Sequence, residues 1–351
     1  MIRNATACTL FSFFFVSATV CAADAPLLYR LSKTIPLGDG ERWDYVTFDA
    51  AASRVYVAHG DHVTVVDPEK GAVIGTIGPI LGGTHGTAVA TRADVGFTDD
   101  GKDGTVSVFD PKSFAILKTI KTEPGADGIE FDSASGHVFV INGDAKTITV
   151  IDPAKKSVIA TIAVGAGLEA AVADGSGKVF VDGVEDHDMI VIDARSNSVL
   201  KHFPMPTCER PHGIAIDPKT HRVFATCANK VMVVLDADTG RNIATLPIGA
   251  MNDGAVFDPV RKRVISANGE GTLTVVAEKD ADHFDVIATV PTLRSARTIA
   301  VDPANGRLFL AAADVDSTAP PIPPEGRPRV TYKKGSAKLL VFEPSDPRRR
   351  N

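Results

Sequence analysis

The chain has 351 residues and a formal net charge of −6, with 43 Asp plus Glu against 37 Lys plus Arg. This acidic balance argues against nucleic acid as the main partner, because a phosphate backbone attracts basic surfaces. No stretch after residue 23 is long and apolar enough to span a membrane.

The first 22 residues have the pattern of a secretory signal peptide. Arg3 gives the basic start, an apolar stretch rich in Phe runs from Leu10 to Val20, and small residues precede a cleavage point after Ala22. We therefore expect signal residues 1–22 and a mature protein that is periplasmic or secreted.

After the signal, one motif returns seven times at intervals of about 42 residues. Each copy is an alternating apolar run that ends in a turn, which is acidic in all but one copy. The copies are Val63 to Asp67, Val106 to Asp110, Ile148 to Asp152, Ile190 to Asp193, Met232 to Asp236, Leu273 to Ala277 and Leu339 to Glu343. A repeat of this length with several short strands is typical of a β-propeller blade.

Turn residues divide each repeat into four predicted strands. In the fifth repeat these are residues 213–216, 223–227, 231–236 and 242–248, with Asp-Pro and Asp-Thr-Gly in the turns between them. The period-two alternation suits sheets that stack face to face. The sequence thus predicts an all-β fold, a seven-bladed β-propeller with four antiparallel strands per blade.

The seventh repeat ends without a fourth strand, whereas residues 29–37 form a strand that belongs to no repeat. We expect this N-terminal strand to complete the last blade, so that the ring has no open sheet edge. The predicted propeller domain covers residues 23–345, and residues 346–351 form a basic tail. A closed ring needs no partner for stability, which favours a monomer.

The seventh repeat also carries an insertion of about 24 residues, at 314–336. Five prolines within it predict a stiff, extended segment that is poor at forming strands. It opens on the predicted top face, where it lies over the central channel as a lid or packs on its own blade. In the first case Arg327, Arg329, Tyr332 and Lys333 point inward.

The repeats resemble the YVTN-repeat, or YncE-like, β-propeller family. The segment Pro211-His212-Gly213-Ile214-Ala215-Ile216-Asp217-Pro218 leads into a first strand, and Phe139-Val140-Ile141-Asn142 and Phe224-Ala225-Thr226-Cys227 approximate the second-strand signature of that family. The resemblance implies the propeller fold and secretion. It leaves function open, because members of this group include binding proteins and enzymes.

One position just before the first strand of each blade is occupied by an ionisable residue in all seven repeats. The set is Asp44, His85, Asp127, Glu169, His212, Asp253 and Arg297. In a propeller this position lies at the mouth of the central channel. With His neutral the ring has a charge of −3, so it attracts a cation or a cationic ligand.

A second ring follows 14 or 15 residues later, where the second strand ends, and it faces the same mouth because the two strands are antiparallel. Its members are His59, Asp99, Asn142, Gly183, Cys227, Asn268 and Ala312. We predict ligand binding by the polar residues of both rings and by Arg210. A divalent metal ion is one candidate ligand, held by His85, Asp127, Glu169, His212 and Asp253. The alternative is that residues at a wet turn are polar for solubility alone.

Only Cys208 and Cys227 remain after the signal, and both belong to the fifth repeat. In an oxidising compartment they predict a disulfide. A reactive thiol or a metal ligand is the alternative.

Three functions from different classes fit the predicted mouth. The first is a binding protein for a small polar molecule or a divalent metal. The second is a metal-assisted hydrolase or lyase, acting on a lactone or by elimination, with His85 or His212 as proton acceptor and Arg297 stabilising negative charge. The third is a scaffold that binds another periplasmic protein across the top face. No catalytic motif of known spacing is present, which favours the first.

Overall fold

The computed structural model describes residues 27–40, 42–320 and 329–345. The predicted signal peptide, the basic tail and Arg327 lie outside the described residues, so the domain boundaries remain predictions. The described chain forms seven four-stranded sheets arranged around a channel, together with one two-stranded hairpin and one short 3₁₀ helix, Thr91–Ala93. The predicted seven-bladed propeller is confirmed.

Every blade is an antiparallel sheet, and in blades one to six the innermost strand comes first in the chain. Blade one contains β2 (Val46–Asp49), β3 (Arg54–His59), β4 (His62–Asp67) and β5 (Ala72–Ile77). Blade two contains β6 (Thr87–Ala90), β7 (Val95–Asp100), β8 (Thr105–Phe109) and β9 (Ile116–Lys121). Blade three contains β10 (Ala126–Asp132), β11 (His137–Asn142), β12 (Thr147–Asp152) and β13 (Ser157–Ala163).

The next three blades repeat this order. Blade four contains β14 (Leu168–Ala173), β15 (Lys178–Gly183), β16 (Asp188–Asp193) and β17 (Ser198–Pro204). Blade five contains β18 (Pro211–Asp217), β19 (Arg222–Cys227), β20 (Val231–Asp236) and β21 (Asn242–Pro247). Blade six contains β22 (Asn252–Asp258), β23 (Arg263–Asn268), β24 (Thr272–Asp280) and β25 (His283–Pro291).

Blade seven is built from both ends of the described chain. Its strands are β26 (Ile299–Val301), β27 (Leu308–Ala312), β30 (Ala337–Pro344) and, outermost, β1 (Tyr29–Gly38). The N-terminal strand pairs with β30 from Tyr29 opposite Pro344 to Gly38 opposite Ala337. This pairing confirms the predicted closure.

The core lies between neighbouring blades, where alternate side chains of one sheet meet those of the next. One apolar cluster joins Phe180 and Met189 of blade four to Val223 and Val233 of blade five, and similar clusters occupy the other interfaces. Apolar burial of this kind gives about 25 cal/mol per Å². Because every sheet needs a partner on each face, the ring stabilises the blades together.

The acidic residue that closes each regular repeat has a structural role in the turn after the third strand. Asp67 Oδ1 accepts hydrogen bonds from the backbone N–H groups of Glu69 (3.0 Å) and Lys70 (2.9 Å). Asp152, Asp193 and Asp236 accept the same pair of bonds. The Asx turn fixes the link to the outermost strand, so it recurs with the period.

The insertion in blade seven departs from its prediction. Its two ends form an antiparallel hairpin, β28 (Val315–Ala319) with β29 (Arg329–Tyr332). The prediction of a segment poor at forming strands is therefore wrong for these ends, where β-branched residues such as Val330 and Thr331 favour pairing. Most of the prolines, from 321 to 328, lie outside the described residues.

Candidate functional site

The ring of ionisable residues sits where the inner strands begin, and glycines allow those strands to converge there. A Cβ added at Gly213 would lie 2.7 Å from Thr226 Oγ1 and 2.8 Å from the Cα atom of Gly254 in the next blade. Such approaches exclude a larger residue. The backbones therefore crowd together, and the side chains just before the glycines are brought to one mouth.

Six of the seven ring residues gather into two groups of three. Asp44, His85 and Asp127 form one group, and Glu169, His212 and Asp253 form the other. Within each group the nitrogen or oxygen atoms that would bind a metal lie within 4.8 Å of one another. The ring thus brings its members together as two triads rather than as seven separate side chains.

His85, in the first triad, is held by a buried carboxylate. Its ring Nδ1 lies 3.1 Å from Asp99 Oδ2, and Asp99 Oδ1 accepts hydrogen bonds from the backbone N–H groups of His85 (3.0 Å) and Gly86 (2.7 Å). Burial lowers the pKa of His85, but the Asp99 contact outweighs it and raises that pKa to about 9. The pair fixes the imidazole and leaves Nε2 for a ligand.

The two carboxyl groups of the first triad have pKa values well above those of ordinary exposed acids. Burial raises the pKa of Asp44 to about 7, although Arg297 opposes the shift. Burial and the nearby Glu169 raise the pKa of Asp127 to about 8. Carboxyls that crowd together in a dry site take up protons unless a cation joins them.

His212 is the most buried member of the second triad, with 2% of its surface exposed. Its Nδ1 lies 3.2 Å from Glu169 Oε1, but the approach lacks hydrogen-bond geometry, and neither ring nitrogen has a hydrogen-bond partner among the described residues. A buried polar group without a partner costs about 1–3 kcal/mol. A ligand or metal ion that binds one of the ring nitrogens would remove this cost.

Arg297 is the one basic member of the ring, and its charge is already engaged. Its Nε donates to Asp253 Oδ2 at 2.7 Å, its Nη2 donates to the carbonyl oxygen of Trp43 at 3.1 Å, and the guanidinium lies 5.6 Å from the Trp43 ring centroid. The acids of the ring raise the pKa of Arg297 further, against burial. Arg297 also attracts the Asp44 carboxyl electrostatically, but its close ion pair is with Asp253.

Several members of the second predicted ring are held inside their own blades. Asn142 Nδ2 donates to Thr147 Oγ1 (3.1 Å) and Thr149 Oγ1 (2.9 Å), and Asn268 makes the equivalent bonds to two threonines of β24. The Nδ1 atom of His59 lies 3.0 Å from Thr64 Oγ1. All three are fully buried. They join the second and third strands of a blade, whereas Asp99 supports the mouth.

Two chambers open at the mouth, with His85 at their junction. The first, of about 600 Å³, is bordered by the loops before blades one and two and by the insertion hairpin; its lining includes Trp43, Asp44, Leu81, His85, Arg297 and Tyr332. The second, of about 580 Å³, includes Lys102, Asp127, Lys146, Glu169, Glu185 and Arg210. Predicted ligand residues therefore line both chambers.

The insertion hairpin reaches the first chamber through Tyr332. The ring of Tyr332 packs against that of Trp43, with centroids 4.6 Å apart. Arg329 donates instead to the carbonyl oxygen of Pro320, at 3.4 Å. Of the residues predicted to point inward, Tyr332 lies at the mouth.

The predicted disulfide between Cys208 and Cys227 is formed. It ties the loop that enters β18 to the end of β19, and this loop carries Arg210 beside His212. The bond therefore fixes the segment that presents two predicted ligand residues.

Sequence reasoning missed Asp182, a fully buried carboxyl near Glu169. Neither of its oxygens has a hydrogen-bond partner among the described residues, and burial raises its pKa well above the usual value. The corresponding positions are Ile141 in blade three and Ala267 in blade six. Blade two has Asp99 at the same position, so the signal available in the sequence was a second acid at a position that is apolar in other blades.

Comparisons with known proteins support the fold and a distant relationship. No family model matches the chain. The protein YncE of Salmonella typhi and that of Salmonella typhimurium are each 26% identical to it over 180 residues, or 49% of this chain and 51% of the relative. The chain thus aligns with about half the length of these relatives.

A solved structure shows the same architecture without a close sequence. A chain in the crystal structure of a mitotic checkpoint complex matches with a TM-score of 0.73 and 14% identity, covering 97% of this chain and 99% of that one. This likeness concerns the fold alone. In the described part of the chain, no helix has the length and apolarity to cross a membrane. The chain is a seven-bladed β-propeller that resembles the YncE-like, YVTN-repeat proteins.

Proposed function

We propose that this protein is a binding protein whose mouth holds a divalent metal ion through Glu169, His212 and Asp253. The observation that carries the proposal is the buried imidazole of His212, which has no hydrogen-bond partner in the described structure and stands between two carboxyl groups. One neutral imidazole and two carboxylates form a donor set that suits Zn²⁺ or Mn²⁺. An ion there would satisfy the imidazole nitrogen and offset the acidic charge.

His85 and Asp127 remain predicted ligands of the adjoining triad. Their side chains line the second chamber, together with Glu169 and Arg210. A small polar molecule bound in this chamber would reach both triads. Lys102 in its lining would suit an oxygen-rich ligand, whereas Lys146 is already paired with Glu185.

The alternative function is a metal-assisted hydrolase or lyase, and the Asp99–His85 pair favours it. Asp99 holds Nδ1 of His85, and with a pKa of about 9 the imidazole is protonated at neutral pH, so it would donate a proton as a general acid and would accept one only at higher pH. The ion would act as the Lewis acid. Arg297 is already paired with Asp253, which weakens its predicted role in stabilising new negative charge.

We also infer that the protein works outside the cytoplasm. The Cys208–Cys227 disulfide has both sulfur atoms buried in the fold, and such bonds persist in oxidising compartments. The predicted signal residues 1–22 support the same location.

Calorimetric titration of chelator-treated protein with Zn²⁺ and with Mn²⁺ tests the metal site. We expect one ion to bind tightly, and His212→Ala to weaken its binding at least tenfold. His221→Ala is the matched control, because His221 is exposed and paired with Asp238 away from the mouth. Circular dichroism checks that each variant folds. If His212→Ala does not fold, Glu169→Gln provides a second test of the metal site.

Equal affinity in the wild type and in both mouth variants would exclude this metal site, as would the absence of binding by either ion. Turnover of a panel of lactones then separates a binding protein from an enzyme. An activity that is lost with chelator and in His85→Asn would favour the enzyme.

A further inference from the structure

The first chamber has a composition that the metal site does not use. It lies between the insertion hairpin and the loops that enter blades one and two, and its volume of about 600 Å³ is that of a small-molecule pocket. Glu169, His212 and Asp253 are not among its lining residues. Whatever binds there contacts a separate part of the mouth.

One side of this chamber is apolar and aromatic. Leu81 borders it and is 81% exposed, so its side chain offers apolar surface to a ligand in the chamber. Tyr332 of the hairpin packs on Trp43, and this aromatic pair forms another part of the chamber lining. A planar apolar group between these side chains would remove their surfaces from water.

The floor of the chamber is acidic. The carboxyl group of Asp44 accepts no hydrogen bond from the described residues, and it lies in the triad with His85 and Asp127. Of the cations that line the chamber, Arg297 is paired with Asp253 and His85 with Asp99, whereas Arg42 lies exposed at its edge, as does the acid Asp61. Arg297 and His85 still attract the Asp44 carboxyl electrostatically, but neither is hydrogen-bonded to it, so its oxygens remain able to accept hydrogen bonds from a ligand.

We propose that the first chamber binds a small organic cation, with its amino group against Asp44 and a planar apolar body between Leu81 and Tyr332. An ammonium group would supply the hydrogen bonds that Asp44 lacks and would offset its charge. The apolar body distinguishes this ligand from a metal ion or ammonium itself. The inference goes beyond the metal site and does not depend on it.

Trp43 is the one tryptophan in the sequence, so intrinsic tryptophan fluorescence reports on this chamber. We expect phenethylamine to change the emission saturably in chelator-treated protein, with a dissociation constant below about 1 mM. The neutral 2-phenylethanol has the same ring without the charge, and methylamine has the charge without the ring. Each should bind at least tenfold more weakly.

Variants locate the two halves of the ligand. Asp44→Asn keeps the shape of the side chain, and we expect it to reduce phenethylamine affinity at least tenfold while leaving the weak binding of 2-phenylethanol unchanged. Tyr332→Ala should weaken both. Asp103→Asn removes an exposed acid that does not line the chamber, and it should bind phenethylamine like the wild type.

Unchanged phenethylamine affinity in Asp44→Asn would overturn the proposal, and so would equal binding of the amine and the alcohol. A fluorescence response that appears only after Zn²⁺ is added would overturn it as well. The His212→Ala variant separates this inference from the metal proposal: it should lose the ion and retain phenethylamine.

Discussion

At the scale of single residues, Glu130 is a half-buried acid in apolar surroundings whose effect on stability is easy to isolate. It lies on the inner strand β10 and lines the central channel among apolar residues such as Ile129 and Ala171. Its Oε1 accepts one hydrogen bond, from the backbone N–H of Ala173 at 3.2 Å. Burial, which that bond opposes, raises the pKa of Glu130 to about 8.

This shift predicts that Glu130 makes the fold less stable as the pH rises from about 5 to 8. In that range the unfolded chain has already released the proton that the folded protein retains, so deprotonation favours unfolding. Glu130→Gln should remove this contribution to the pH dependence. Relative to the wild type, we expect the variant to gain about 1–3 kcal/mol more unfolding free energy at pH 8 than at pH 5. Urea unfolding at both pH values measures the difference.

Glu123→Gln is the control for this prediction, because Glu123 is exposed on the surface. It should leave the slope of stability against pH as in the wild type. A Glu130→Gln variant with that same slope would show that the carboxyl group ionises freely in the channel.

The sequence predicted where the ring residues lie but not which way each side chain points. The sequence placed Asp99 and Asn142 in one ring, but Asp99 lies opposite Val106 and Asn142 lies opposite Thr147, so Asp99 corresponds to Ile141 and is one position out of register. Asp99 therefore supports His85 at the mouth, while Asn142 bonds to two threonines inside its blade. An offset of one residue turns a side chain to the other face of the sheet, which accounts for the difference. Thr147 and Thr149 offer hydroxyl partners to Asn142, and this pairing becomes visible only when the strand register is known.

At the scale of elements, the disulfide holds the loop that leads into β18. It joins residues 19 positions apart, and closing a loop of this size stabilises a fold by about 3 kcal/mol. We expect the Cys208→Ser/Cys227→Ser double variant to lose about 2–4 kcal/mol of unfolding free energy. Denaturant unfolding with and without a reductant measures the loss.

The wild type should lose stability in the reductant, whereas the double variant should not respond to it. Because the loop carries Arg210 and precedes His212, metal affinity should fall together with stability. Equal unfolding curves for the two proteins would show that blade packing alone fixes the loop.

The insertion shows why this element was harder to predict than the blades. Its prolines indicated an extended segment, but the β-branched residues on either side of them pair as a hairpin. A prediction from local sequence alone gives most weight to the prolines and so misses the pairing of the residues that flank them. The packing of Tyr332 on Trp43 is a long-range contact, 289 positions apart in the chain, that no local pattern reports.

At the scale of the whole molecule, the period of about 42 residues was sufficient to predict seven blades. Each regular copy keeps the alternation that buries its sheet and the Asp that closes its turn, so local and global requirements coincide. The insertion changes the spacing without changing the number of sheets. Repetition therefore predicted the architecture better than any individual site.

Closure of the ring depends on a strand that is remote in sequence from its partner. Strand β1 contributes Tyr29, Ile35 and Leu37 to the apolar clusters on either side of blade seven, and all three are buried. Burying side chains of this size gives about 1.5–3 kcal/mol each. Without β1, the unpaired edge of β30 would face solvent.

A chain that begins at Asp39 should therefore lose about 5 kcal/mol or more of unfolding free energy and should associate through β30, as measured by urea unfolding and size-exclusion chromatography. A peptide of residues 27–40 added in trans should restore the stability and the monomer, because it supplies the missing strand. The same peptide with Ile35→Asp is the matched control, since it pairs its backbone but places a charge in the core, and it should not rescue. A truncated chain that stays monomeric and as stable as the whole protein would mean that six complete blades hold the seventh without its outer strand.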